Sequence, residues 1–215
     1  LSPAFYLTPP MDRYDLNTIY INRSANFDNN HLFSTLAHEG FPGHLYQTVY
    51  FHQTAPSPIR TLLSFPGYTE GWATYVELYS YKYSGLPEED ITAMQNSTLF
   101  SLCLYAKIDI GVNSHGWMLK DVRNYLSGFG IRDVSITKEL FEEVVDEPGN
   151  YLKYTLGFLE FLELKKQAKD LLGTSYNVKN FHKFVLESGP TSFTVLQKQL
   201  KHLVSYDIIS KYNAA

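Results

Sequence analysis

Two short apolar runs near the start of the chain predict β-strands. The first covers residues 4–7 (Ala-Phe-Tyr-Leu) and the second covers residues 18–21 (Thr-Ile-Tyr-Ile). Prolines stand on both sides of the first run, and proline is confined to strand ends and sheet edges because it has no backbone N–H. We therefore expect residues 1–30 to form an extended, edge-type β segment.

From His31 onward the apolar residues recur with a helical period, beginning with Leu32 and Leu36. Helix start and stop signals predict further helices over residues 69–83, from 86 to about 113, and over 117–126, 150–172, 178–187 and 191–212. Pro56 and Pro58 predict a loop, and Thr137 is expected to cap a short helix. The predicted fold class is mainly α with a small N-terminal β portion, in a single domain over 1–215 that is helical over 31–215.

Composition narrows the class of protein. Of the 215 residues, 44% are hydrophobic and 19% are charged, which excludes a disordered or fibrous chain. The net charge of −4 offers no basic surface for nucleic acid, and no apolar run approaches the ~18 residues of a membrane span. A single cysteine, Cys103, excludes a disulfide framework and is expected to be a small buried residue. The 17 Tyr and 14 Phe indicate either generous core packing or an aromatic-walled cleft.

Residues 38–44 (His-Glu-Gly-Phe-Pro-Gly-His) carry the strongest chemical signal. The common zinc-hydrolase motif places two His four residues apart on one helix face, with an adjoining Glu as general base. Here His44 follows His38 by six residues, which on a regular helix leaves the rings about 120° apart. Pro42 disfavours a continuous helix, so we expect a break that brings His44 back beside His38. The alternative is a helix that simply ends at Gly40, with His44 capping the next one.

Two glutamates on a later predicted helix could complete such a site. Glu70 lies in the first turn of this helix, and a third ligand from a following helix is the usual way to complete an open zinc site. Gly71 is expected to leave room above Glu70. Glu77 lies two turns further on nearly the same face and is the candidate to orient a ligand His. For either residue the alternative is an ordinary solvated acid.

The string His-Glu-x-x-Pro-Gly-His followed by Glu-Gly-Trp-Ala at residues 70–73 resembles the bacterial family catalogued as domain of unknown function 885. Members of that family look like zincin-type metallopeptidases of the gluzincin kind. The resemblance covers nearly the whole chain. Supporting matches lie at residues 17–22, 109–117, 148–157 and 181–189.

The resemblance implies a zinc-dependent peptidase. One Zn²⁺ would be held by His38, His44 and Glu70, with water in the fourth position, and Glu39 would act as general base. The implied substrate is a peptide or a small amide. Because family members are usually longer, the chain is expected to be the C-terminal catalytic part of a larger protein and to have its N-terminal region as a partner.

Three further residues are candidates for the chemistry. Tyr154 is the first candidate to donate a hydrogen bond to the developing oxyanion, and His115 is the second. Their alternatives are a core tyrosine and a helix-junction histidine bonded to backbone. Asp109 stands in an apolar stretch and is expected to be a buried acid that either forms hydrogen bonds or orients a ligand.

The chain also departs from the family pattern. Asn113 stands where the family tends to carry His, Tyr105 stands where Arg is frequent, and Leu45 replaces the second of two adjacent His. These departures keep two alternatives open: a domain that binds metal or peptide without turnover, and a hydrolase of non-peptide amides or esters. The sequence also leaves open whether the bacterial protein is exported, associated with the cell envelope or cytoplasmic.

Overall fold

The computed structural model describes residues 3–10, 12–23 and 29–213, with side chains up to residue 204. It is mainly helical and carries a small N-terminal sheet, which confirms the predicted class. The elements are β1 (Ala4–Leu7), β2 (Thr18–Ile21), α1 (Asn29–Glu39), α2 (His44–Gln53), α3 (Pro58–Leu62), α4 (Pro66–Ser80), α5 (Glu88–His115), α6 (Leu119–Ser127), α7 (Val134–Asp146), α8 (Asn150–Leu172), α9 (Val178–Ser188) and α10 (Phe193–Asn213). Short 3-10 turns cover Tyr81–Tyr83 and Gly173–Ser175.

The two strands form an antiparallel pair whose bounds match the predicted runs. Ala4 lies opposite Ile21 and Leu7 lies opposite Thr18. The rings of Phe5 and Tyr20, which are directly opposed, stack at 5.1 Å between centroids. This aromatic cross-strand pair stabilises the register.

The chain divides into two compact units, and the first contains Leu1–Gly85 together with Gly157–Ala215. Its central helix is α4, which packs against α1 and α2. Most of α4 is buried, including the large side chains of Tyr68, Trp72 and Tyr75. The Tyr68 hydroxyl donates to the carbonyl of Val185 at 2.7 Å. Burial of its large side chains makes α4 a rigid support for the polar side chains it carries.

Gly71 allows helix α8 to approach α4 closely. A Cβ at this position would lie 2.4 Å from the carbonyl carbon of Gly157, so any larger residue would force the two backbones apart. The absence of a side chain at Gly71 therefore admits the backbone of α8 at that position.

The second unit, Leu86–Leu156, contains α5, α6, α7 and the start of α8. Its core consists of aliphatic side chains from the three complete helices: Leu104, Ile108, Val122, Leu126, Leu140 and Val144. Asp109 is buried among them at 1% exposure. Its Oδ1 accepts hydrogen bonds from Asn113 Nδ2 (2.9 Å) and from the Gly149 amide (3.0 Å). The predicted burial and hydrogen bonding of Asp109 are confirmed, and a role in orienting a ligand stays a prediction.

Three local expectations were wrong. Cys103 is exposed, because the buried face of α5 runs through Leu104 and Ile108 and leaves Cys103 on the solvent side. Pro58 begins helix α3 instead of a loop, since proline fits the first turn of a helix. Helix α7 is capped by Asp133, whose carboxylate accepts from the amides of residues 135 and 136, whereas Thr137 lies inside the helix.

Among the described residues, no helix combines the length and apolar character that a membrane crossing requires.

Candidate metal centre

The helix break predicted between His38 and His44 is present. Helix α1 ends at Glu39, α2 begins at His44, and residues 40–43 connect the two. At Gly43 a Cβ would lie only 1.7 Å from the carbonyl oxygen of His38. The connection is therefore so tight that only glycine fits at this position.

The break brings both histidines to one place, as the sequence predicts. The ring centroids of His38 and His44 lie 4.8 Å apart and the ring planes are nearly perpendicular. His44 begins α2, so the helix does end as in the alternative interpretation, yet its side chain still lies beside His38.

Glu70 of α4 completes the cluster. Its Oε2 lies 3.2 Å from His44 Nε2 and 3.6 Å from His38 Nε2. One ligand atom from each of the three residues lies within 4.8 Å of the others. The three side chains are 13–17% exposed, so the cluster is largely shielded but open to a small ligand.

The donor set and spacing fit a zinc ion. Two imidazole nitrogens and one carboxylate oxygen are the ligands of several open zinc sites, and bond lengths of about 2.0–2.2 Å with tetrahedral angles separate ligand atoms by about 3.3–3.5 Å. The distances of 3.2 and 3.6 Å bracket that separation. His38, His44 and Glu70 could therefore hold Zn²⁺ with small side-chain adjustments.

Glu77 contacts the other nitrogen of His38. The distance from His38 Nδ1 to Glu77 Oε2 is 2.9 Å, so Nδ1 carries the proton and donates it, while Nε2 faces Glu70. A carboxylate in this position fixes the tautomer and orientation of a ligand histidine. The structure thus brings Glu77 to the location that the helix spacing predicts.

The charges of the cluster shift its protonation. Burial lowers the pKa of His38, but hydrogen bonds to Glu70 and Glu77 outweigh burial and raise that pKa to about 10, with a further contribution from the charge of Glu39. Burial raises the pKa of Glu70, and the contacts with His38 and His44 outweigh it and bring that pKa well below its usual range. Without a metal, His38 is therefore a protonated imidazolium held by two carboxylates.

Glu39 is positioned from strand β1. Its Oε2 accepts a hydrogen bond of 2.8 Å from the backbone amide of Tyr6. This bond holds the carboxylate at the last residue of α1, next to His38. The opposite edge of β1 pairs with β2, so the small sheet is directly attached to the candidate general base.

Trp72 connects the two characteristic segments of the chain. Its indole Nε1 donates to the carbonyl of Pro42 at 3.0 Å, and the ring is 1% exposed. The tryptophan of the Glu-Gly-Trp-Ala segment therefore holds the break at 40–43 against the helix that carries Glu70.

The remaining candidates lie in the second unit. Tyr154 is half-buried on α8, with Lys153 Nζ 5.1 Å from its ring centroid. His115 is exposed in the last turn of α5. Asp109 accepts its hydrogen bonds within that unit through Oδ1, and its buried Oδ2 has no hydrogen-bond partner among the described residues. Catalytic roles for Tyr154 and His115 stay predictions.

Sequence reasoning missed two contacts of the site. The Tyr6 amide is a backbone donor, so its side chain carries no signal for it. The bond from Trp72 to Pro42 requires knowing that the two segments pack together, although tryptophan in a buried helix does call for a partner for its N–H.

Comparison with solved structures shows the fold in two larger bacterial proteins. A protein called "putative lipoprotein" from Colwellia psychrerythraea superposes with a TM-score of 0.80 and is 28% identical, over 95% of this chain and 36% of that one. A "putative lipoprotein of unknown function" from Shewanella oneidensis superposes with a TM-score of 0.74 at 19% identity, over 91% of this chain and 38% of that one. The chain thus spans little more than a third of either relative.

No functionally curated protein matches the chain significantly. A family model does: the one described as a bacterial protein of unknown function, DUF885, matches residues 1–200. That match covers the two segments that carry the candidate metal ligands and extends over both units of the fold. The chain therefore belongs to the DUF885 family.

Proposed function

We propose that this protein is a zinc-dependent hydrolase that cleaves peptide bonds. The observation that carries the proposal is the convergence of His38, His44 and Glu70 within 4.8 Å, with the far nitrogen of His38 held by Glu77 at 2.9 Å. With a metal bound, this second carboxylate would fix the histidine tautomer that turns Nε2 toward the ion.

Each residue has a distinct part in the proposed reaction. His38, His44 and Glu70 would hold the ion, which when bound acidifies a water molecule and polarises the substrate carbonyl. His38 must first release its Nε2 proton, because an imidazole ligand is neutral. Glu39 accepts the proton of the attacking water on its carboxylate and passes it to the leaving amine.

The small sheet supports a peptide as the substrate. Strand β1 donates to Glu39 through Tyr6, and a Cβ on Gly40 would lie 2.9 Å from the Ile19 side chain of β2. The sheet thus borders the segment that carries the candidate base and ligands. An extended peptide could add its backbone to the free edge of β2, which would give affinity with little side-chain selectivity.

Zinc analysis of the His44→Ala variant tests the proposal. We expect about one zinc per chain in the parent protein after dialysis against buffer with trace zinc, and less than a tenth of that in the variant, because two ligands do not retain zinc. Elemental analysis gives the content, and a fluorogenic peptide library gives the activity. His52→Ala, on the same helix, is the matched control and should keep its zinc. A parent chain that takes up no zinc would contradict the proposal.

A second prediction concerns Glu77. Glu77→Gln keeps an acceptor for His38 Nδ1 but removes the negative charge, so we expect zinc affinity to fall about 10–100-fold. Competition with a chromophoric chelator measures the affinity. Glu187→Gln, an exposed change on α9, should leave it unaltered. Equal affinities for the parent and Glu77→Gln would mean that Glu77 does not support the ligand.

The two solved relatives, called putative lipoproteins, lend support to an envelope-associated location for this protein as well. Their greater length supports a further region of the protein as a partner of the proposed catalytic part.

A further inference from the structure

A groove with aromatic walls lies in the first unit, between α1, α2, α4 and α9. Its volume is about 790 Å³, within the range of small-molecule sites. The apolar lining includes Phe33, Leu36, Phe41, Tyr46, Tyr50, Trp72, Val76 and Leu186. The aromatic-walled cleft that composition left open is thus present.

The groove lies beside the metal centre but contains none of its candidate ligands. It is lined by Phe41 and Pro42 of the break and by Trp72, which donates to the Pro42 carbonyl. On α4 it is lined by Trp72, Val76, Tyr79 and Ser80, which at about 100° per residue lie some 80–180° around the helix from Glu70. On α1 it is lined by Phe33, Leu36 and Ala37, which lie about 100–160° around the helix from His38. The same two helices therefore carry the candidate ligands on faces that do not line the groove, while the groove borders the connection between His38 and His44.

Basic side chains gather around Tyr79, one of the residues that line the groove. Lys82 Nζ lies 3.3 Å from the Tyr79 ring centroid and 5.0 Å from that of Tyr83. Lys165 Nζ lies 5.6 Å from the Tyr79 ring and donates to Tyr75 Oη at 2.8 Å. Helix α9 adds Lys179, which lines the groove directly.

These cations are not neutralised by carboxylates. Among the described residues no Asp or Glu lies within 4.0 Å of Lys82, Lys165 or Lys179, and the groove lining contains no acid. Only Lys183 has such a partner, the exposed Glu187 at 3.7 Å. The chain as a whole is negatively charged, with a net charge of −4. A cluster of lysines without carboxylate partners differs in sign from this net charge and indicates a site for an anion.

The pKa shifts within the cluster have two directions. Burial lowers the pKa of Lys82, but hydrogen bonds to Tyr79 and Tyr83 outweigh burial and raise that pKa. Burial lowers the pKa of His182 to about 4, and the charges of Lys165 and Lys82 contribute. Burial likewise lowers the pKa of Lys165, with Lys169 and Lys82 adding to the effect. A negative charge placed among these groups would relieve their mutual repulsion.

We propose that the groove binds an acyl carboxylate, with the aliphatic chain against the aromatic walls and the carboxylate toward Lys179, which lines the groove, and Lys82, which contacts the lining rings of Tyr79 and Tyr83. Burial of the chain supplies affinity, and charge-assisted hydrogen bonds to the lysines select the anion. From Trp72 to Tyr83 the groove follows α4 and its 3-10 extension for about 16 Å at 1.5 Å per residue, which suits a medium-length chain.

Isothermal titration calorimetry with dodecanoate and dodecanol, both below their aggregation concentrations, tests the proposal. The protein is kept zinc-free so that the carboxylate cannot ligate zinc. We expect dodecanoate to bind at least about tenfold more tightly than dodecanol, and acetate to give no detectable binding because it has no chain. The double variant Lys82→Met/Lys179→Met should lose about tenfold in affinity for dodecanoate and keep that for dodecanol.

Lys138→Met, an exposed change on α7, is the matched control and should alter neither affinity. Circular dichroism confirms that each variant is folded. Equal affinities for the acid and the alcohol, an unaltered affinity of the double variant for dodecanoate, or acetate binding as tight as that of dodecanoate would each overturn the proposal. The His44→Ala variant should bind dodecanoate like the parent, so failure of the zinc proposal and failure of this one are distinguishable.

Discussion

Replacing Glu39 with Gln is expected to leave the zinc content at about one per chain and to lower peptide hydrolysis by about 10²–10⁴-fold. The amide is isosteric with the carboxylate, and its Oε1 can still accept the hydrogen bond from the Tyr6 backbone amide. It cannot accept a proton from water. The variant therefore removes the chemistry of the base and keeps the geometry. Turnover of a fluorogenic peptide, normalised to zinc content, measures the effect.

Glu89→Gln, an exposed change in the first turn of α5, is the control and should retain full turnover. Retained turnover in Glu39→Gln would show that Glu39 is not the proton acceptor. A different result separates the alternative functions: if the parent holds zinc but cleaves neither peptides nor simple esters, the site binds metal without turnover.

The candidate metal ligands could be predicted from the sequence, whereas several contacts that hold them in place could not. Local signals locate both strands and set the bounds of α8 at Asn150 and Leu172, because alternation, capping residues and helix periodicity are properties of short segments. The break at 40–43 follows from the chemistry of Pro42, and the positions of Glu70 and Glu77 follow from the helix repeat. Each of these inferences needs only residues close in the chain.

Contacts between distant segments escape such reasoning. Gly71 meets the backbone of Gly157, and Tyr6 donates to Glu39 across 33 positions of sequence. In each contact at least one partner is a backbone atom, so the residue types do not indicate that the contact exists. The prediction that Cys103 is buried is wrong for a related reason. Its apolar neighbours indicate a buried stretch, but the exposed fraction of its side chain depends on which face of α5 the other helices cover.

Outside the candidate ligands, Gly43 is the position at which we expect a substitution to disturb the site most. A Cβ there would lie 1.7 Å from the His38 carbonyl oxygen, 2.5 Å from the His38 carbonyl carbon and 2.6 Å from the Ala37 carbonyl oxygen. All three are backbone atoms of α1, which cannot rotate away as a side chain can. Gly43→Ala must therefore shift the start of α2, and with it His44, relative to His38.

We expect Gly43→Ala to lower zinc affinity by more than about 100-fold, since displacing His44 removes one of three ligands, and to lower the free energy of unfolding of the zinc-free protein by at least about 2 kcal/mol. Chelator competition and urea denaturation give the two quantities. Gly67→Ala is the matched control, because a Cβ there meets only the Phe193 ring at 3.9 Å, an ordinary contact. It should leave zinc affinity unaltered and change stability by less than about 1 kcal/mol. A Gly43→Ala protein with parental affinity and stability would mean that the backbone of residues 40–43 can rearrange without moving His44, and the tight break would then not be what holds the two histidines together.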